Sequence, residues 1–365
     1  MNHSTFRLRA CLAAICTLLA VAGCGGGSGG TGSSTPAPVT RTWRMGFAPI
    51  PPRPDVNEVL RTIDELSLRA EIAALHEELP WADLLAGMPP RDILARDKVG
   101  LVDYLRGKGL AIYFMLDSTD GLSRAEEAPQ LRALGRSLTE PEVQQLYRDY
   151  ALAVAEVLHP EYLGLAAETN LIRVAAPAPL YAAVRQVAND AAADLRAAGA
   201  QGQLLFSIQV DTAWGALGGG SYVGAETDFA DFPFADVVGL SSYPYFGFST
   251  PEDIPSNYYS RVLNGRNLPV MVVEGGWTSA AVANVQSTPD LQARYIRRQA
   301  ALLDSVSARA LIQLLFVDLD LAQFPQPVPA NLPLFAHLGV VDSDFMPKPA
   351  LAAWDELYDR PYRAP

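Results

Sequence analysis

The sequence predicts an α/β fold, a single-domain (β/α)8 barrel, and three observations predict it. Apolar runs of strand length alternate with amphipathic stretches throughout residues 41–365. Nearly every run is continuously hydrophobic, as parallel strands buried on both faces require. The turn after the first run, Ala48-Pro-Ile-Pro-Pro, lacks the glycine-rich phosphate loop that an open doubly wound sheet would carry there.

Taken in order, a first strand at 43–48 precedes a helix at 56–66, and a second strand is expected at 70–75. Residues 92–108 read as one helix, with Leu94, Val99, Val102 and Leu105 as its apolar stripe. A third strand at 110–116 leads to a helix at 140–158, with Thr139 as cap and Pro141 at its first position. A fourth strand at 162–167 precedes an alanine-rich helix at 180–198. The fifth strand is 203–209, followed by segments at 215–220 and 229–234 that read as loop. A sixth strand at 236–241 and a short helix at 258–263 come next. A seventh strand at 269–273, a helix at 291–307, an eighth strand at 311–317 and a helix at 350–358 complete the eight units.

Composition narrows the chemistry. The chain carries 28 Lys and Arg against 40 Asp and Glu, a net charge of −12, which disfavours nucleic acid as a partner. All three cysteines lie at or before Cys24, so residues 41–365 offer neither disulfide nor cysteine nucleophile. His76, His159 and His337 lack zinc-motif spacing, and no metal or other cofactor is expected. There is no Gly-x-Ser-x-Gly elbow, and Gly215–Gly220 is not followed by the Lys-Ser/Thr of a phosphate loop.

Two acids stand at strand ends: Glu168 after the fourth, in Tyr162-Leu-Gly-Leu-Ala-Ala-Glu168-Thr-Asn170, and Glu274 after the seventh, in Val-Met-Val-Val-Glu274-Gly-Gly-Trp277. The carboxyl ends of barrel strands form the mouth, where chemistry is done. Two carboxyls facing each other across it are what double-displacement glycoside hydrolysis uses: one protonates the glycosidic oxygen while the other attacks the anomeric carbon. A single such acid is more often the partner of a loop arginine. Around the pair, His76, Trp81, Asp117, Asn170, Gln209, Trp214, Trp277 and Asp318 follow or end strands and are candidates to meet a substrate. The tryptophans would do so by stacking on sugar faces. Tyr243 or Tyr245 would hydrogen-bond Glu274 and tune its ionisation.

These segments resemble the clan of retaining glycoside hydrolases built on a (β/α)8 barrel. The nearest look is to the endo-β-1,4-galactanases of family 53, with some likeness to the β-1,3-glucanases. The resemblance implies that Glu168 is the acid/base and Glu274 the nucleophile, and Ser241-Ser-Tyr243-Pro-Tyr245 is similar to a Tyr-Pro segment in several of these families. One position departs: the clan places asparagine directly before the acid/base, and this chain has Ala167. A non-catalytic glycan-binding barrel, or a degenerate one with a role in the cell envelope, is the reading that departure favours.

The N-terminal segment has a different character. Arg7 and Arg9 precede an apolar run at 10–22 that ends in Val21-Ala22-Gly23-Cys24, which looks like a bacterial lipobox. Residues 1–23 are thus expected to be a signal peptide, Cys24 the lipidated residue, and 24–40 a Gly/Ser/Pro-rich flexible tether. The expected location is the cell envelope, at the outer membrane if the cell is Gram-negative, with a poly- or oligosaccharide as substrate.

Overall fold

The computed structural model describes residues 39–217 and 220–365. The signal, Cys24 and nearly all of the tether lie outside the described residues. Eight parallel strands close into a barrel in sequence order. They are β1 (Arg44–Ala48), β2 (Ile72–Glu78), β3 (Ala111–Asp117), β4 (Tyr162–Ala166), β5 (Gln203–Gln209), β6 (Val237–Ser242), β7 (Val270–Gly275) and β8 (Ala308–Leu315), with β8 pairing β1. The predicted (β/α)8 barrel is the observed fold.

Helices cover the outside: α1 (Val56–Ser67), α2 (Val99–Gly107), α3 (Pro141–Leu158), α4 (Ala178–Ala197), α5 (Glu226–Asp231), α6 (Ser260–Leu263), α7 (Pro289–Leu303) and α8 (Pro349–Tyr358). Several boundaries have local causes. The stretch expected as one helix at 92–108 is two, because Lys98 leaves helical geometry at φ −125, ψ −34 between Pro90–Asp97 and α2. The cap of α3 is Glu140 rather than Thr139, since Pro141 occupies the first helical position. Part of the segment expected as loop at 229–234 belongs to the short α5.

Strand alternation sorts side chains into two cores. Ile72, Ala74, Tyr113, Met115, Leu205, Met271, Val273, Ala310 and Ile312 fill the barrel, while their neighbours in sequence pack beneath the helices. Gly164 makes room inside: a Cβ there would lie 2.5 Å from the Met115 sulfur.

Between β3 and α3 the chain forms a two-stranded hairpin, with Thr119–Asp120 pairing Ser123–Glu127. The sequence does not signal it, and it carries a residue on which the mouth depends.

Candidate active site

Two irregularities shape the mouth. β4 carries one residue more than β5 between Gly164 and Ala166. Leu165 and Ala166 therefore both face the outer core, and Ala167 turns back inside. Glu168 follows in the left-handed backbone region, at φ 46, ψ 47, and its N–H donates to Ser207 Oγ at 2.8 Å. On β7, Leu240 pairs with Val272 whereas Ser241 pairs with Glu274, so Val273 is the extra residue. Strict alternation after the inward-facing Met271 and Val273 would send Glu274 toward the helices; the bulge re-aims it to lie beside Ser241. Gly275 is required just beyond, because a Cβ there would lie 2.4 Å from the Ser242 carbonyl oxygen.

The side chains join in a closed ring. Ser241 Oγ lies 2.5 Å from Glu168 Oε1 and 2.9 Å from Glu274 Oε1, which limits the separation of those two oxygens to about 5.4 Å. Glu274 Oε2 lies 3.2 Å from His76 Nδ1, and His76 Nε2 lies 2.7 Å from Asp117 Oδ2. Arg124, from the hairpin, donates through Nη1 to both Asp117 oxygens at 2.7 Å and through Nε to Glu168 Oε2 at 2.8 Å. Asp117, Arg124, Glu168 and Ser241 are all buried.

The two glutamates are pushed in opposite directions. Burial raises the Glu168 carboxyl, and the charge of Glu274 adds to that; Arg124 offsets it only in part, so the net direction is upward. Burial also works to raise Glu274, but the hydrogen bond and charge of His76, with Arg124 and Ser241, outweigh it and hold that carboxyl below its usual range. For His76, burial disfavours the cation, yet Asp117 and Glu274 push it up to about 10. The same two cations, His76 and Arg124, hold Asp117 well below the usual carboxylate range despite its burial.

Four of the residues singled out from sequence meet here: His76, Asp117, Glu168 and Glu274. The others do not. Asn170 faces the end of β5, its amide donating to Gln209 O and accepting from Gln209 N–H, both at 2.8 Å; it ties two strands together. The Gln209 side chain turns to the Thr212 N–H and to Asp211. Trp81 is fully buried in the outer core. Trp277 is buried against Tyr245 and Tyr295, with its indole N–H on Ser287 Oγ. Trp214 is stacked on Tyr258 while the Arg261 guanidinium lies 4.8 Å from its ring centroid, and its N–H goes to Tyr258 O. These tryptophan rings are occupied by packing rather than presented to a sugar. Asp318 is held by Lys348 at 2.8 Å and by the Gly339 N–H.

The expected bond from a tyrosine to Glu274 is not made among the described residues. Tyr245 donates to Leu334 O at 3.1 Å. Tyr243 lies near enough for Glu274 and Glu168 to add to the burial that keeps its phenol neutral, but its hydroxyl donates to neither. Ser241, two residues earlier, takes that place. Inward parity along β6 was the signal that could have found it; nothing in the sequence points to Arg124. Cavities of about 200 and 500 Å³ open at the amino-terminal rim, lined by His159 and Gly202 in one case and by Arg266 and Ser305 in the other. Neither lies beside the carboxyl ring, which sits at the opposite end of the barrel.

No family model matches the chain, and no curated protein is measurably similar to it in sequence. Its fold is similar to several solved structures. A GH5_18 protein from Bifidobacterium longum subsp. longum superposes with a TM-score of 0.62 at 16% identity, over 89% of this chain and 81% of its own. A variant of that protein is known in complex with Manβ1-4GlcNAc. An exo-β-1,4-mannosidase from Opitutaceae bacterium strain TAV5 matches with a TM-score of 0.64 at 16% identity, over 87% and 59% of the two chains. The GH53 catalytic domain of Ignisphaera aggregans matches at 0.57 and 12% identity, over 87% and 92%. At these identities the likeness is one of fold, and it extends to family 53 as the sequence resemblance implied.

Proposed function

We propose that this barrel is a retaining glycoside hydrolase acting on a β-linked poly- or oligosaccharide, with Glu168 as acid/base and Glu274 as nucleophile. One observation carries the reading: two carboxyls, one buried and one largely so, with oxygens at most about 5.4 Å apart, driven in opposite directions. Retaining enzymes separate their carboxyls by ~5–5.5 Å, inverting ones by ~6.5–9.5 Å. Paired groups whose surroundings split their ionisation mark acid and nucleophile.

In the first step the Glu168 proton passes to the glycosidic oxygen as its bond to the anomeric carbon breaks, and a Glu274 oxygen bonds that carbon. In the second, Glu168 takes a proton from water, whose oxygen displaces Glu274 from the sugar. His76 and Arg124 bind no substrate in this scheme; they fix the carboxyls and set their charge.

A non-catalytic glycan-binding role is the second reading. Ala167 and the ion pair that ties Glu168 to Arg124 favour it. Hydrolysis assays of the soluble domain separate the two, with β-1,4-linked mannosides and galactan first in the panel. Cleavage by the wild type that Glu274→Gln abolishes supports the enzyme. Glycan binding by both proteins with cleavage by neither supports the second reading.

We also propose that Cys24 is lipidated and tethers the barrel to the cell envelope. Cys24→Ser should then move the protein from the membrane to the soluble fraction; unchanged partitioning would count against the anchor.

A further inference from the structure

Ser241 Oγ is buried, has one proton to give, and faces a carboxyl oxygen on each side. If both glutamates were ionised, it could donate to only one, leaving the other carboxylate against its lone pairs within hydrogen-bonding distance. The surrounding charges point the same way. His76 from β2 and Arg124 from the hairpin supply two cations against the carboxylates of Asp117, Glu168 and Glu274. One added proton makes the ring neutral. Tyr113 on β3 and Tyr243 at the end of β6 also lie near Glu274, and both phenols stay protonated.

We propose that Ser241 is a positioning residue that keeps one proton on the glutamate pair, accepting from protonated Glu168 Oε1 and donating its own hydrogen to Glu274 Oε1. The surroundings assign the proton. Glu168 is the more deeply buried of the two glutamates, and His76 stands against Glu274. The upward direction for Glu168 and the downward one for Glu274 agree. The arrangement is reversible without heavy-atom motion. Transfer from Glu168 Oε1 to Ser241 Oγ, with the serine proton passing to Glu274 Oε1, leaves one carboxylate and one acid exchanged.

The inference rests on the glycosidase reading for its meaning but not for its test. Titration of the glutamate carboxyl carbons by NMR in 13C-Glu-labelled protein needs no substrate. Signals are assigned with Glu168→Gln and Glu274→Gln. In Ser241→Ala, Glu168 should titrate lower and Glu274 higher, each by about one pH unit, and Ser241→Thr should restore the gap. On a cleaved glycan, the alkaline limb of kcat/KM should fall by the same unit, about tenfold in activity above it.

A rise of both carboxyls in Ser241→Ala, as expected of a serine that simply donates to each, overturns the proposal. So does an unchanged gap, or a Ser241→Thr variant that melts like wild type and leaves the gap narrowed. Convergence in a protein that cleaves no glycan keeps the Ser241 inference and discards the enzyme.

Discussion

Two clusters at the carboxyl-terminal end of the barrel are built from similar parts. At one, Arg124 and His76 meet Asp117, Glu168, Glu274 and Ser241. At the other, Lys348 meets Asp318 and Ser279, with His337 nearby. The difference is where the hydrogen bonds go. Asp318 accepts from the Gly339 N–H, and Ser279 donates to His337 O, so that cluster clamps one loop to another. Among the described residues, the carboxyls of Glu168 and Glu274 take only side-chain donors, and the serine between them bonds carboxyl oxygens instead of backbone. A polar cluster anchored on the backbone holds chain segments together. One closed on itself at a barrel mouth holds charges at set spacings, as differential stabilisation of a transition state requires.

The strongest test of that contrast is removal of the glutamates. Glu274→Gln should lower kcat/KM on a cleaved glycan by at least about 10⁴-fold while the domain stays folded, because the amide cannot attack the anomeric carbon. Glu168→Gln should lower it by about 10²–10⁴-fold. The deficit should shrink on aryl glycosides whose leaving group departs without a proton. A Glu168→Gln deficit that is the same for good and poor leaving groups would remove Glu168 from the acid role.

Arg124→Met should act mainly on stability. It leaves Asp117 and Glu168 buried beside each other without their shared guanidinium, a loss of about 3–5 kcal/mol by urea unfolding near neutral pH. The remaining activity should show its alkaline limb moved upward, since Arg124 holds the Glu168 carboxyl down against burial. A variant as stable as wild type would mean that the ion pair is not formed in solution.

The barrel was legible because hydrophobic runs and helix caps repeat with the right spacing, and the fifth strand lies where the periodicity places it, at Gln203–Gln209. His76 and Asp117 were legible for a similar reason: period-two alternation from Ile72 and from Tyr113 carries both inward. Glu168 and Glu274 face each other in spite of alternation, through extra residues on β4 and β7 that no periodicity reveals. Arg124 was not legible, because a hairpin of polar residues reads as loop until its partners are seen. The tryptophans were misplaced because sequence distance from Glu274 says nothing of facing; Trp277 is near in the chain and turned into the core.

His76 sharpens the contrast through pH. Its folded pKa is raised to about 10 from an unfolded value near ~6.5. The stability it contributes is therefore fully present below about pH 6.5 and lost as pH rises through 10. In urea titrations the gap between wild type and His76→Gln should be widest in mildly acidic buffer and should close toward pH 10. The acid limb of kcat/KM should also move upward in the variant, because His76 is the main group opposing the burial of Glu274. A gap that does not vary with pH would mean that the imidazole is neutral between its two carboxylates.

Lys348→Met is the complementary case and the smallest expected effect on chemistry. Lys348 is nearly buried, and burial lowers its pKa even beside Asp318. A buried amine beside a serine hydroxyl, 2.9 Å from Ser279 Oγ, invites a reading as a nucleophilic dyad. The hydrogen bonds argue otherwise. The Ser279 proton is committed to His337 O, and the ammonium is committed to Asp318, so neither a free base nor a free nucleophile remains. Removing the amine should cost stability, about 3–5 kcal/mol, since it strands a buried carboxylate. It should leave kcat and the pH profile of the surviving folded protein within about threefold of wild type, because no group of the carboxyl ring bonds to this cluster. A Lys348→Met variant that melts like wild type but loses activity by orders of magnitude would place chemistry at the wrong cluster and undo the distinction between them.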